Sequence, residues 1–145
     1  MTTRDFIRLQ NCACFNVRKT SRIITQLFDH ALKQSGIKAT QFTLMGVLAG
    51  EGEMAIKELA SSLGMDRTTL TRGIVRLETE GLIESRGGDD ARQRFVSLTS
   101  KGKQKLNDSI PHWETAQGAM EKSLGKNFPK FLNTLEKVYK SQQTI

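Results

Sequence analysis

The stretch Ile56-Lys-Glu-Leu-Ala-Ser-Ser-Leu-Gly-Met-Asp-Arg-Thr-Thr-Leu-Thr-Arg72, continuing to Leu98, changes hydrophobic period once and decides the fold. From Ile56 to Leu63 the apolar residues Ile56, Leu59, Ala60 and Leu63 recur at three- and four-residue steps, which is the spacing of one helix face. Gly64 stops this helix, and Asp66 is a good N-cap for the next, which runs to about Glu80 before Gly81. Leu59, Ala60 and Leu63 can then meet Leu70, Ile74 and Leu77 across the short turn Gly64-Met65-Asp66, as in a helix-turn-helix. Past Gly81 the helical period ends. Leu82–Arg86 and Arg94–Leu98 read as strands, and Gly87-Gly-Asp-Asp90 as the tip of a hairpin whose loop is longer than two residues.

The remainder is helical by the same criterion. Val17, Ile24, Leu27, Phe28 and Ala31 place one long amphipathic helix over about Ile7–Gln34, ended by Gly36. Phe42, Met45, Val47 and Leu48 place another over Thr40–Gly50, before the turn signal Gly50-Glu-Gly52. After the hairpin, Thr99 can cap a helix reaching Leu124, with Leu106, Ile110, Trp113 and Met120 along it and a kink expected at Pro111, which lacks a backbone donor. Gly125 breaks the chain, and Pro129 opens a last helix ending near Tyr139. The predicted fold class is mainly α with a small β-hairpin wing. A winged helix-turn-helix lobe is expected over 37–102, and a separate helical region from 1–36 and 103–145. Phe131, Leu132, Leu135, Val138 and Tyr139 form an apolar stripe beyond what one small winged lobe can cover, so pairing with a second copy is expected.

The chain has 145 residues, with 22 Lys and Arg against 15 Asp and Glu, and a formal net charge of +7. Its 37% hydrophobic content can build a core, and its 26% charged content argues against bulk disorder. No apolar run approaches the roughly 20 residues that span a bilayer, and no apolar region of a secretory signal opens the sequence. The only cysteines are Cys12 and Cys14, so a reducing, cytoplasmic setting and an anionic partner are expected. Neither G-x-S-x-G, a phosphate-binding loop, H-E-x-x-H nor a dinucleotide fingerprint occurs, which argues against an enzyme, and no cofactor is expected. Asp89-Asp90 is a carboxylate pair, but it sits on a turn among arginines.

With Leu70, Ile74 and Leu77 turned inward, Thr68, Arg72, Val75, Arg76 and Thr79 face outward, and Arg67 and Thr69 stand beside them. Such a face suits the major groove, about 12 Å wide, where Arg pairs with guanine O6 and N7 and threonine hydroxyls reach phosphates or base edges. The hairpin adds Arg86, Arg92 and Arg94, with Asp89 and Asp90 beside them. An Asp two residues from an Arg can hold the guanidinium by a charge-assisted hydrogen bond, and an Arg so held on a narrow ribbon suits the minor groove. The expected DNA contacts are Arg67, Thr68, Thr69, Arg72, Arg76, Arg92 and Arg94, with Asp90 in support. A solvated basic surface and a sequence-indifferent DNA-packaging protein carry the same charge and stand as alternatives.

The same residues carry a resemblance. Ile56 to Arg72, Leu77-Glu-Thr-Glu-Gly-Leu-Ile83, Asp90-Ala-Arg92 and Val96-Ser-Leu-Thr-Ser-Lys-Gly102 together resemble the MarR-type winged helix-turn-helix regulators, and the likeness extends over nearly the whole chain. The resemblance implies a homodimer on a pseudo-palindromic operator, repressing transcription until a small molecule or an oxidant releases it. It carries recognition-helix contacts onto Arg67, Thr68, Thr69 and Arg72, and the wing contact onto Arg92 with Asp90 as its support. Ala55 departs from the family, which often has a Ser or Thr cap there.

Leu9-Gln-Asn-Cys-Ala-Cys14-Phe15 resembles the start of the organic-hydroperoxide sensors of that family, with Cys14 at the reactive position. Arg18 lies one turn on and could stabilise a thiolate. The tyrosines those sensors use are missing, since Arg18 and Phe28 stand at the corresponding spacings and Tyr139 is the only tyrosine. Inert packing of Cys14 is the competing reading. Cys12 and Cys14, two apart on one intact helix and about 200° around its axis, cannot pair with each other. With His30 and His112 they give no ligand spacing, so no metal is expected. The resemblance places small-molecule effectors between the dimer helices and the DNA-binding lobe, which implies Phe15, Phe42, His112 and Trp113.

Overall fold

The computed structural model describes residues 1–143, in which seven α-helices surround a three-stranded antiparallel sheet. Helices α1 (Thr3–Gln10) and α2 (Ala13–Leu32) are followed by a 3₁₀ turn at Lys33–Ser35 and by α3 (Ala39–Glu51). A short strand β1 (Met54–Ala55) feeds α4 (Ile56–Leu63) and α5 (Arg67–Thr79). The hairpin strands are β2 (Ile83–Gly87) and β3 (Arg94–Leu98), after which come α6 (Ser100–Leu124) and α7 (Phe128–Ser141). None of the helices is long and apolar enough to cross a membrane among the described residues.

Three features differ from the sequence reading. The expected single helix over Ile7–Gln34 is two helices, broken at Asn11 and Cys12, because the Asn16 amide donates to the carbonyls of Gln10 (2.7 Å) and Cys12 (2.9 Å) and holds the chain in a bend. Cys12 is the extended N-cap of α2, with ψ 123°, so the two cysteines do not share an intact helix and the 200° separation does not apply to them. The sheet gains a third strand: β1 pairs with β3 through Met54↔Val96 and Ala55↔Phe95, in strand order β1-β3-β2. Two residues are too short a run for alternation to signal. At Pro111 α6 continues unbroken, losing one backbone donor but not its course.

Elsewhere the ends of elements follow local chemistry. Asp29 on α2 accepts from the Ala39 amide at 2.7 Å and so caps α3, and Gln41 accepts from the Lys38 amide at 2.9 Å. The apolar faces converge in one core: Leu32 from α2, Leu44, Met45 and Leu48 from α3, Leu59 from α4, Leu70, Ile74 and Leu77 from α5, Val96 and Leu98 from β3, and Leu106 from α6. Each such side chain withdrawn from water contributes about 1.5–3 kcal/mol. By contrast, α1 and α7 bury no residue.

The N-terminus of α6 is docked onto the end of the helix-turn-helix. The Thr99 hydroxyl donates to the Gly81 carbonyl at 2.6 Å and accepts from the Gly102 amide at 3.0 Å, while the Thr99 amide donates to the Leu82 carbonyl at 3.2 Å. Gly102 approaches that carbonyl so closely that an added Cβ would lie 1.9 Å from Leu82 O. Gly102→Ala should therefore lose about 3 kcal/mol of unfolding free energy, because the obstacle is backbone and cannot rotate away. Gly87→Ala, which has nothing within 4 Å of its new Cβ, should stay within about 0.5 kcal/mol of the parent. Urea unfolding of both variants checks this; a Gly102→Ala midpoint equal to the parent's would mean that α6 docks less closely.

Candidate nucleic-acid interface

Helix α5 begins at Asp66, whose carboxylate accepts from the Thr69 amide (2.8 Å) and the Thr69 hydroxyl (2.7 Å). Those two bonds, the amide first, hold the Asp66 carboxyl below its ordinary value of 3.8. They also occupy Thr69, so this hydroxyl fixes the helix start. Thr71 and Thr79 turn back onto the carbonyls of Arg67 and Val75. Leu70, Ile74 and Leu77 are buried, and Arg67, Thr68, Arg72, Val75, Arg76 and Thr79 are exposed. Arg76 lies 3.9 Å from Glu80, a loose and solvent-exposed pair. Arg67, Thr68 and Arg72 have no side-chain hydrogen bond among the described residues, so their donors face solvent uncommitted.

The wing is built differently from the sequence expectation. Asp90 does not hold the Arg92 guanidinium; its Oδ1 accepts from the Arg92 backbone amide at 3.0 Å, and the Gln93 amide donates to the Asp90 carbonyl at 2.9 Å. A short acidic side chain two residues back closes a turn on itself more readily than it reaches a guanidinium three methylenes out. Asp90 thus shapes the tip and leaves Arg92 exposed, with no carboxylate partner among the described residues. Arg94 donates to the Ser85 hydroxyl at 2.7 Å across the hairpin. Arg86 is not a free basic probe either. Its Nε donates to both carboxylate oxygens of Glu53 at 3.0 Å and its Nη2 to Oε1 at 2.6 Å. This pairing lowers the Glu53 carboxyl from its ordinary 4.5 and raises the Arg86 guanidinium.

Helix and wing meet in one cleft of about 330 Å³, lined by Ala55, Lys57, Arg67, Arg92 and Arg94 among others. Ala55 gives α4 no side-chain cap, and the β1–β3 pairing fixes that helix start instead. The residues read as effector or redox sites are scattered. Phe42 and Trp113 stack at 5.9 Å and 13° and line a cleft of about 220 Å³ with Phe28 and Leu32. Phe15 lies elsewhere on α2, exposed beneath Lys19 at 5.2 Å, and the half-buried His112 is absent from that cleft. Cys14 and Arg18 are both exposed on α2. No cluster of His, Cys, Asp and Glu suited to a metal occurs among the described residues. Sequence reasoning missed Glu53, whose partner is 33 residues away and which no local period marks.

A capped recognition helix, a Gly-ended helix before it and a three-stranded wing behind it define a winged helix-turn-helix protein. A model of the MarR family matches residues 35–93. The chain is 30% identical over 92 residues to the uncharacterized HTH-type transcriptional regulator YwoH of Bacillus subtilis, covering 63% of this chain and 67% of that protein. It is also 30% identical over 99 residues to an organic hydroperoxide resistance transcriptional regulator of B. subtilis, covering 68% of this chain and 67% of the relative. The structure of the M. tuberculosis transcriptional regulator MOSR in complex with DNA superposes with a TM-score of 0.85 at 32% identity, over 92% of this chain and 97% of the other. The chain belongs to the MarR family of winged helix-turn-helix transcriptional regulators, and is a regulator and not an enzyme.

The cap yields a pH prediction. Because the folded-state Asp66 carboxyl titrates below 3.8, its stabilisation is complete above that value and is lost as pH falls through the lower folded one. Asp66→Asn keeps an acceptor but no charge at the helix N-terminus. The parent should therefore exceed this variant in stability near neutral pH, and the gap should close below 3.8. Urea midpoints between neutrality and acid measure it; a gap constant with pH would show that the ionised carboxylate is not the cap.

Proposed function

We propose that the protein is a cytoplasmic, homodimeric repressor that binds a pseudo-palindromic operator. In this reading residues 37–102 are the DNA-binding lobe, and 1–36 with 103–145 the dimerisation region. The observation that carries it is the set of exposed, uncommitted donors on the outward face of α5 (Arg67, Thr68 and Arg72) and at the wing tip (Arg92), with Arg67 and Arg92 lining one cleft. In the major groove Arg72 and Thr68 would meet base edges, with Arg76 and Thr69 toward the flank. Arg92 would enter the adjacent minor groove, with Asp90 shaping the tip and Arg94 bracing the strand behind it.

Dimerisation is supported by the apolar surface that the described chain leaves uncovered. Phe6, Ile7 and Val17 near one end and Leu132, Leu135 and Val138 near the other are all exposed. Joining two such faces buries them and sets two recognition helices roughly 34–36 Å apart, one turn of DNA. Similarity to a structure solved with DNA supports the same surface assignment.

Release by an oxidant at Cys14 is the reading of the trigger that the organic hydroperoxide resistance relative favours. Cys14 is exposed on the element expected to form the dimer, with Arg18 one turn on. A small-molecule effector is the other route, for which Phe42 and Trp113, with Phe15 and His112 contributed from elsewhere in the dimer, are the candidate residues.

Selection of bound sequences from random duplexes tests the function directly; recovery of no preferred sequence at matched salt would support a packaging protein instead. On the selected duplex, Arg72→Ala should cost about 1–3 kcal/mol and relax preference at one position. Arg92→Ala should weaken many sequences alike and lower the salt slope by about one counterion. An unchanged preference in the first and an unchanged slope in the second would remove those assignments. Organic peroxide should release DNA from the parent and not from Cys14→Ser, and equal release from both would exclude Cys14 as the sensor.

A further inference from the structure

The outer face of the sheet holds a cluster that the proposed DNA contacts do not use. Arg86 on edge strand β2 lies in register with Phe95 on the central strand, and Phe95 with Ala55 on the opposite edge. The Arg86 guanidinium lies over the Phe95 ring, 4.6 Å from its centroid, and reaches Glu53 just before β1. One side chain therefore crosses the whole sheet, tying both edges together over a central aromatic ring. A planar guanidinium can stack and chelate at once, which an ammonium cannot.

The cluster is joined to the wing tip on one side and to the helix-turn-helix on the other. Gly88 sits so close to Phe95 that a Cβ there would lie 2.8 Å from Cε2 and 2.7 Å from the Cβ of Gln93. The Gly88 amide donates to the Gln93 carbonyl at 2.9 Å, closing the loop that presents Arg92. At the other end, β1 has only two paired residues and runs straight into α4. So short a strand holds its edge weakly, and the Glu53–Arg86 pair adds a second attachment at that edge.

We propose that Glu53 and Arg86 are positioning residues that fix the pitch of the wing against the helix-turn-helix, so that Arg92 and α5 engage adjacent grooves together. Arg86 then acts through Glu53 and Phe95 and makes no contact with DNA. The affinity consequences rest on the DNA-binding reading above, whereas the order of the wing in the free protein does not.

Both parts are tested with Glu53→Gln and Arg86→Lys in the full chain. Hydrogen exchange on the free protein should show the Gly88 and Gln93 amides exchanging roughly three- to tenfold faster in either variant, with Ile74 in α5 unchanged. On the best duplex from the random-sequence selection, Glu53→Gln should weaken binding by roughly three- to tenfold, the scale of an exposed pair plus a cation–π contact. That loss should vanish when Arg92 is already alanine, the mark of action through the wing. If Glu53 only repelled phosphates, its neutralisation would tighten binding, so the sign separates the two accounts. Unchanged wing exchange, tighter binding, full retention by Arg86→Lys, or an equal loss in the Arg92→Ala background would each overturn the proposal. Failure of the parent to bind any duplex would overturn the DNA-binding reading instead, and the exchange measurement would then decide the clamp alone.

Discussion

Burial of Leu70, Ile74 and Leu77 is the constraint on which the rest of this structure depends, because it sets the rotation of α5 about its own axis. A helix has one degree of freedom that its own hydrogen bonds do not determine, namely which face looks inward. Apolar side chains at three- and four-residue steps settle it, since turning α5 by half a revolution would expose three large residues and bury Arg72 and Arg76 without partners. Everything proposed for the outward surface follows from that choice. The helix start is set separately by Asp66 and Thr69, whose bonds stop the first turn from fraying and hold Arg67 and Thr68 at defined angular positions.

Polar groups in this lobe divide by whether the fold has already used them. Thr69, Thr71, Thr79, Arg86 and Arg94 each have an internal partner, and so contribute geometry. Lys101 and Lys105 are used in the same way, donating to the carbonyls of Glu80 and Ser35 and tying α6 to the ends of two other elements. A net charge of +7 therefore overstates the cationic surface open to an anionic partner. On the outward face of α5 and at the wing tip, Arg67, Thr68, Arg72 and Arg92 are exposed and have no side-chain hydrogen bond among the described residues. Concentration of free donors, more than total charge, separates a recognition surface from a solvated one.

The fold was legible wherever one element declares itself through its own residues. The period of Ile56, Leu59, Ala60 and Leu63, the stop at Gly64, the cap at Asp66 and the cap at Thr99 are local signals, and the helices begin and end accordingly. Legibility failed where the cause is non-local or where a side chain reaches back across the end of its own element. The break at Asn11–Cys12 depends on the Asn16 amide reaching back to Gln10, which periodicity over Val17 to Ala31 does not register. Strand β1 exists because β3 is there to pair with it, and two residues carry no alternation. The arginines of the wing look alike in sequence; only the partners separate Arg86 and Arg94, which are engaged, from Arg92, which is free.

The role of Asp90 shows why a correct motif can carry an incorrect mechanism. An Asp two residues before an Arg suggests an ion pair, because charge attracts attention before geometry does. The carboxylate instead bonds the Arg92 amide, a contact needing no extended side chain and losing little rotamer freedom. The consequence for recognition runs opposite to the expectation. In the proposed wing contact the Arg92 head group would have no bond to Asp90 to break on docking, because that carboxylate is used by the tip backbone. Holding the backbone and leaving the head group unbonded gives the wing a defined tip without tethering the Arg92 guanidinium, and the Gly88–Gln93 and Gln93–Asp90 backbone bonds close the same loop.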